Sequence, residues 1–327
     1  MKLCIYGAGA IGGFIGTRLA ARGQAVSAVA RGATAQALRT HGWRLQIADG
    51  LVSAPASVAE DAASLGQQDL VVLAVKAHSL PSVARGIAPL LGPDTVVLTA
   101  MNGVPWWFFD GFGGDLSGLQ LDAVDPDRSI ARAIPTQHVV GAVVHATCSV
   151  PEPGLVRHGF GHKLILGEPR AGSTARLDGL AALLRDAGFE IELSSCIQRD
   201  IWFKLWGNMT LNPVSALTGA TGDRILDDPL VRAFILRAMA EAKAIGERIG
   251  CPIAQSGEDR HAVTRQLGAF KTSMLQDVEA GRAIELDALV TVVREIGLKV
   301  GVATPEIDTL LGLTRLMAQT RRLLPLA

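Results

Sequence analysis

The hydrophobic pattern divides the chain into a first part, in which strand-like and helix-like segments alternate, and a second part that is only helix-like. In the first part, short apolar runs recur at 3–6, 25–29, 70–75, 95–99, 139–145, 164–166 and 190–193. Apolar runs without strict alternation are typical of parallel strands covered on both faces. Helix-like stretches lie between them at 11–22, 80–91 and 177–187. This order predicts a doubly wound α/β sheet.

Beyond about residue 196, strand-like runs disappear. Apolar residues recur at helical spacing over 230–249 and 285–300, and Pro305 fits the first turn of a last helix that runs towards residue 319. We therefore predict two domains. Residues 1–196 form an N-terminal Rossmann-type nucleotide-binding domain, and residues 197–327 form an all-α C-terminal domain.

Composition and charge narrow the classes of partner. The 327 residues carry 31 Lys and Arg against 31 Asp and Glu, so the formal net charge is zero. A nucleic-acid or anionic-membrane partner needs a basic surface, and neither is expected.

No apolar run approaches the ~18 residues of a membrane-spanning helix. The start of the chain reaches Gly7 too early for a signal peptide, and the four cysteines are scattered. A cytoplasmic protein without a metal site is expected.

A glycine-rich turn follows the first predicted strand. It comprises six consecutive residues: Gly7, Ala8, Gly9, Ala10, Ile11 and Gly12. In a G-x-G-x-x-G turn the first glycine makes the tight turn, the second admits a pyrophosphate, and the third allows close packing of helix on strand. The start of the following helix presents N–H groups and partial positive charge to the phosphates. The strand–turn–helix context favours a dinucleotide site.

The end of the second strand indicates which dinucleotide binds. An NAD site usually has an acidic residue about 20 residues beyond the glycines. Residues 27–32 contain no acid but do contain Arg31, whose planar guanidinium can bind a 2′-phosphate. NADP(H) is therefore favoured over NAD(H). A solvated loop role for Arg31 remains the alternative.

Polar residues also follow two later strands. Lys76 follows the run at 70–75, and Asn102 follows the run at 95–99. Because ligands bind beyond the carboxyl ends of parallel strands, both side chains are expected near the nicotinamide end of the cofactor. From spacing alone, Asn102 and Gly103 are equally a good turn pair.

A helix-like segment at 200–213 combines a strongly apolar face with unusual polar residues. At 100° per residue, one face contains Trp202, Leu205, Trp206 and Met209. Lys204 and Asn208 lie together on the opposite side, and Asn212 follows one turn later. An exposed lysine is the ordinary interpretation of Lys204. Two asparagines, which are poor helix formers, make a functional face the competing one.

Together these segments resemble the ketopantoate reductase family (2-dehydropantoate 2-reductases). The resemblance rests on seven segments in family order: GAGAIGG at 7–13, Arg31, VKAH at 75–78, MNG at 101–103, WFKLWGNMTLNP at 202–213, SMLQDVEAGRAIELD at 273–287 and ATPEIDTL at 303–310. It implies a Rossmann-type domain, a helical substrate domain, and NADPH-dependent reduction of a 2-oxo acid, ketopantoate, to (R)-pantoate in pantothenate biosynthesis.

The resemblance also implies roles for individual residues. Lys204 matches the catalytic lysine and Glu285 the catalytic acidic residue. Substrate-binding positions are matched by Asn102, Asn208, Asn212 and Ser273. Arg31, Lys76 and Asn102 match cofactor-binding positions. A lysine ammonium suits the reaction because it can stabilise the growing charge on the ketone oxygen and donate a proton to it.

Two alternative functions remain at this point. The chain could be a paralogue that reduces another 2-oxo acid or oxidises a hydroxy acid. It could also be a non-catalytic NADP(H)-binding sensor, although such a protein would not need Lys204 or Glu285. Whether the chain forms a homodimer is open as well, since apolar helices serve a core or an interface equally well.

One region departs from the family pattern. After Gly103 the chain continues with the aromatic residues Trp106, Trp107, Phe108, Phe109 and Phe112, then with a Gly/Asp-rich stretch to about residue 135. The segment is expected to be either a hydrophobic anchor or a lid that reshapes the substrate pocket. His145, at the end of the run at 139–145, is expected to face the cleft or to be an ordinary structural histidine.

Overall fold

The computed structural model describes residues 1–170 and 172–324. The chain forms two compact units, one of residues 1–102 and 128–200, the other of residues 103–127 and 201–327. The first unit contains the sheet and the second is built from helices. The predicted fold class is confirmed. The domain boundary after residue 196 stays a prediction.

Within the described residues the sheet has ten strands. They are β1 (Leu3–Tyr6), β2 (Val26–Val29), β3 (Trp43–Ile47), β4 (Gly50–Ala54), β5 (Ser57–Ala59), β6 (Leu70–Leu73), β7 (Val96–Thr99), β8 (Val139–Glu152), β9 (Leu155–Gly167) and β10 (Glu190–Leu193). Six of them pair in parallel in the order β5-β2-β1-β6-β7-β8. This is the strand order of a dinucleotide-binding fold, with the first strand at the centre.

The helices are α1 (Ala10–Ala21), α2 (Gly32–His41), α3 (Leu80–Gly86), α4 (Ser129–Ala133), α5 (Ala175–Asp186), α6 (Ile197–Thr218), α7 (Gly222–Asp227), α8 (Pro229–Arg248), α9 (Gly257–Arg265), α10 (Ser273–Glu279), α11 (Val292–Lys299) and α12 (Pro305–Thr320). A turn of π-helix, Asp287–Thr291, leads directly into α11. The predicted helix over 285–300 is therefore a π-turn followed by an α-helix.

The structure contains strands that the apolar runs do not predict. β3 and β4 form an antiparallel hairpin, β3 pairs with β9, and β5 extends the parallel sheet beside β2. β8 and β9 are much longer than the runs at 139–145 and 164–166, because they continue as an antiparallel ribbon. The ribbon's outer half is largely exposed, so it carries no continuous apolar run.

The aromatic segment belongs to the helical unit. Trp107, Phe108 and Phe109 are almost fully buried, and the ring of Phe108 lies 6.3 Å from that of Trp202 on α6. The Glu295 carboxylate accepts hydrogen bonds of 2.8 Å from two consecutive backbone N–H groups, those of residues 122 and 123. These contacts support the anchor interpretation of the segment.

Candidate active site

The glycine-rich turn connects β1 to α1, as predicted. Gly7 has a φ of +98°, and a Cβ added there would lie 2.6 Å from a side-chain carbon of Val75 and 2.9 Å from the carbonyl oxygen of Ala74. A Cβ on Gly12 would lie 2.0 Å from the carbonyl oxygen of Gly7. Both positions therefore require glycine, the first for its backbone conformation and the second for space.

The space above the turn fits a pyrophosphate. A Cβ added to Gly9 would meet no atom of the protein within 4 Å. Gly9 is also the residue before α1, whose first turn has no acidic residue and no side-chain cap. The helix start therefore offers backbone N–H groups and partial positive charge to an anion, so the residues at 7–12 fit a dinucleotide phosphate.

Arg31 lies at the junction of β2 and α2. Its backbone is extended, and its exposed guanidinium makes no hydrogen bond or ion pair with any residue of 1–170 or 172–324. This position, at the carboxyl end of the second strand, is the one the sequence predicts. A 2′-phosphate could be bound there without breaking an existing ion pair.

Lys76 and Asn102 follow β6 and β7, the two strands next to β1 on the opposite side from β2. Lys76 immediately precedes a short 3-10 turn, and both side chains are partly buried. Since β1, β6 and β7 are parallel, the turns that carry Gly9, Lys76 and Asn102 emerge at the same edge of the sheet.

Helix α6 separates an apolar face from a polar one, as its sequence predicts. The four residues of the apolar face are all buried: Trp202, Leu205, Trp206 and Met209. The indole N–H groups of Trp202 and Trp206 donate to carbonyl oxygens of α8, at 3.3 and 2.7 Å. These bonds satisfy both indoles and fix the rotation of α6 against α8. The opposite face is thereby set in position.

Lys204 is the electrostatic centre of that opposite face. Its side chain is half-buried, and desolvation lowers its pKa from 10.5 to about 8. The carboxylate of Glu285 raises the pKa and the guanidinium of Arg260 lowers it, both by smaller amounts than burial does. The structure therefore brings Lys204 and Glu285 into electrostatic contact. The ammonium loses its proton far more easily than an exposed lysine.

The other predicted substrate residues differ in exposure. Asn208 is half-buried one turn after Lys204, and Asn212 is buried a further turn along α6. Ser273 is exposed at the first position of α10, where the preceding Thr272 caps the helix by accepting from the N–H of Leu275 at 3.2 Å. The roles assigned to these three residues stay predictions.

One charged residue of this region gave no signal in the sequence. Arg260 lies on α9, and burial lowers the pKa of its guanidinium. Its Cζ atom lies 5.0 Å from the centre of the Phe203 ring on α6. An arginine in the polar run GEDR normally indicates a solvated helix face, so only the packing of α9 against α6 reveals its position.

His145 is exposed within β8 rather than at a strand end, because β8 continues to residue 152. The predicted end of that strand was therefore wrong.

All four cysteines are free thiols, and burial raises the pKa of Cys4 and of Cys148 to about 12. These two thiols therefore stay protonated at neutral pH.

Within residues 1–170 and 172–324, none of the helices has both the length and the hydrophobicity that a membrane span requires. Nor do three or more His, Cys, Asp or Glu side chains there cluster in a way that could hold a metal ion.

Comparison with known proteins gives the family. Residues 3–171 match the model of the family "Ketopantoate reductase PanE/ApbA", and residues 196–318 match the model of its C-terminal part. The chain belongs to the ketopantoate reductase family. A 2-dehydropantoate 2-reductase of Mesorhizobium japonicum is 47% identical to it, over 98% of this chain and 99% of the relative. Enzymes of this family use NADPH.

Solved structures of the ketopantoate reductase family share the fold. A proposed ketopantoate reductase from Ralstonia solanacearum MolK2 is 64% identical, with a TM-score of 0.95 over 98% of this chain and 99% of that one. D-mandelate dehydrogenase, solved with NADH and anilino(oxo)acetate, is 23% identical, with a TM-score of 0.84 over 99% of this chain and all of that one. The second likeness concerns the fold alone.

Proposed function

We propose that this chain reduces 2-dehydropantoate (ketopantoate) to (R)-pantoate with NADPH, as a step of pantothenate biosynthesis, and that Lys204 is the general acid. The observation that carries the proposal is the half-buried Lys204 ammonium, with its pKa near 8 and the Glu285 carboxylate close by. A general acid works best when its pKa lies near the working pH. The 47% identical relative, a 2-dehydropantoate 2-reductase, supports the choice of substrate.

Cofactor binding follows from the first unit. The turn at 7–12 would hold the pyrophosphate at the start of α1, and Arg31 would bind the 2′-phosphate that distinguishes NADPH from NADH. Lys76 and Asn102 would contact the nicotinamide end, since they follow β6 and β7 at the same sheet edge. When bound, NADPH supplies the hydride that adds to C2 of the oxo acid.

The proton comes from the second unit. In its protonated form Lys204 donates a hydrogen bond to the ketone oxygen and so stabilises the negative charge that develops there. It then transfers that proton, which leaves a hydroxyl group on C2 and a neutral amine on Lys204. Solvent reprotonates the amine. Glu285 favours the protonated form, because its carboxylate counteracts the effect of burial on the Lys204 pKa.

Orientation of the substrate is assigned to neutral hydrogen-bonding groups. Asn208 and Asn212 follow Lys204 along α6 at intervals of four residues, which places all three along one side of the helix. Neither amide makes a side-chain hydrogen bond with any residue of the part of the chain that the structure describes. With Ser273 and Asn102, they would bind the substrate's polar groups.

The test is NADPH oxidation, followed by absorbance, with ketopantoate and with a panel of other 2-oxo acids. The proposal expects the highest kcat/KM with ketopantoate. A clear preference for another acid would instead identify a paralogous reductase. Tight NADPH binding without oxidation by any member of the panel would identify a non-catalytic sensor. The same assay with NADH measures the contribution of the 2′-phosphate.

The proposal also includes a cytoplasmic location. We propose further that the protein's partner is the small-molecule 2-oxo acid and that it binds neither nucleic acid nor a membrane. The four free thiols fit a reducing compartment. Light scattering of the purified protein would establish whether it forms a homodimer.

A further inference from the structure

The guanidinium of Arg260 is half-buried, and within residues 1–170 and 172–324 it has no counter-ion. Its Nε atom is buried and has no hydrogen-bond partner. None of the residues of 1–170 and 172–324 makes a hydrogen bond or ion pair with this guanidinium. Burying a charged donor without a partner is costly, so such groups in native proteins call for an explanation, and an anionic ligand is one.

This guanidinium packs against two neighbouring residues of α6. The ring of Phe203 lies 5.0 Å from Cζ, within range of a cation–π contact. Gly207 leaves room on the next turn, since a Cβ there would lie 3.1 Å from Nε and 3.4 Å from Nη2. Glycine in the middle of a helix is destabilising relative to alanine. The helix therefore carries an unfavourable residue at the place where the guanidinium lies.

The place on α6 where this guanidinium packs is close to Lys204. Gly207 is three residues after Lys204, and residues three apart on a helix have Cβ atoms about 5–6 Å apart. The charge of Arg260 acts on Lys204, whose pKa it lowers. With Lys204 and Arg260 charged and Glu285 ionised, the cluster keeps a net positive charge. It is therefore suited to an anion rather than to a neutral ketone.

We propose that Arg260 binds the carboxylate of the 2-oxo acid while Lys204 binds its ketone oxygen. The two oxygen-bearing groups are on adjacent carbons, so two neighbouring cations match them. A guanidinium can hold a carboxylate through two parallel N–H···O bonds, which fixes the plane of the acid as well as its position. The inference rests on the proposed function and adds a specificity residue to it: Arg260 selects acids over esters, amides and simple ketones.

The test compares a charged substrate with its neutral analogue. We would measure kcat/KM for ketopantoate and for its amide with the unmodified protein and with Arg260→Leu, Arg260→Lys and Arg248→Leu. Arg248 is an exposed arginine at the end of α8, which makes it the matched control. Charge-assisted hydrogen bonds are worth ~1.5–3 kcal/mol, so Arg260→Leu should lower kcat/KM for the acid about 10- to 100-fold.

On the acidic side of pH ~8, where Lys204 is protonated with or without Arg260, the rate with the amide should be unaffected, and so should NADPH affinity. Arg260→Lys keeps the positive charge but loses the planar guanidinium. Its kcat/KM for the acid should lie between that of Arg260→Leu and that of the unmodified protein. Arg260→Leu should also move the alkaline limb of the kcat profile to higher pH, because a positive neighbour of Lys204 is removed. A purely structural arginine would lower the activity towards both substrates together.

Equal effects on acid and amide, or no effect on either, would overturn the inference. Calorimetric titration of each variant with ketopantoate, in parallel, separates this failure from that of the proposed function. Binding of the acid that depends on Arg260, without any NADPH oxidation by the unmodified protein, would contradict the proposed reaction and support the Arg260 site.

Discussion

Lys204 determines how the proposed reaction depends on pH. Burial lowers its pKa to about 8, so the ammonium is the major form below that pH and the neutral amine above it. Reduction needs the proton. We therefore predict that kcat for reduction is constant on the acidic side of pH ~8 and falls tenfold per pH unit above it.

The pH dependence is measured from steady-state rates at saturating NADPH. Removing the carboxylate with Glu285→Gln should move the alkaline limb to lower pH, because that carboxylate favours the charged lysine. An alkaline limb that stays in place in Glu285→Gln would show that another group titrates.

Arg31 is predicted to discriminate between the two nicotinamide cofactors. Arg31→Ala should raise KM for NADPH about 10- to 100-fold and leave KM for NADH nearly unchanged, since only NADPH carries the 2′-phosphate. Arg22→Ala, which removes another exposed arginine of the same unit, is the control. If the ratio of the two KM values is unaltered in Arg31→Ala, Arg31 is merely a solvated residue.

At the scale of elements, the sequence predicts those parts whose burial is continuous. β1, β2, β6 and β7 are short apolar runs buried in the sheet, and they lie within a residue or two of their predicted positions. The hairpin of β3 and β4 was not predicted, because it depends on pairing with β9, more than a hundred residues away. The outer half of the ribbon of β8 and β9 is largely exposed and leaves no apolar pattern.

The aromatic segment tests the difference between an anchor and a lid. Phe108 is fully buried, and its ring contacts those of Phe109, Phe112 and Trp202. If the segment is an anchor, Phe108→Ala should lower the free energy of unfolding by ~3–5 kcal/mol, measured by denaturant unfolding. Phe160→Ala, at a ring that is 68% exposed, should change the stability by less than ~0.5 kcal/mol. Unchanged stability in Phe108→Ala combined with an altered substrate preference would favour the lid.

At the scale of the molecule, zero net charge conceals local order. The positions of the glycine turn before α1 and of Arg31 at the end of β2 were predictable, because phosphate binding favours these residue types at this spacing. Their roles in cofactor binding stay predictions. The position of Arg260 was not, because its role depends on the packing of α9 against α6 rather than on any local pattern. The unit to which residues 103–127 belong was not predictable from a local pattern either. In sequence they lie between two stretches of the first unit, but they belong to the helical unit.

Binding of NADPH should stabilise the whole protein. A ligand that binds only the folded state at about 100 times its Kd adds ~2.7 kcal/mol to the free energy of unfolding. We predict a higher Tm with NADPH than with the same concentration of NADH, and loss of this difference in Arg31→Ala. Equal shifts for both cofactors would contradict the assignment of NADPH.

The central claim is that Lys204 supplies the proton for a hydride transfer from NADPH. Its most direct test is a single-turnover measurement of NADPH oxidation with ketopantoate in Lys204→Ala, with NADPH affinity determined by fluorescence titration. We predict unchanged NADPH affinity and a rate of hydride transfer that is lower by about 100- to 10,000-fold. A rate close to that of the unmodified protein would contradict the account.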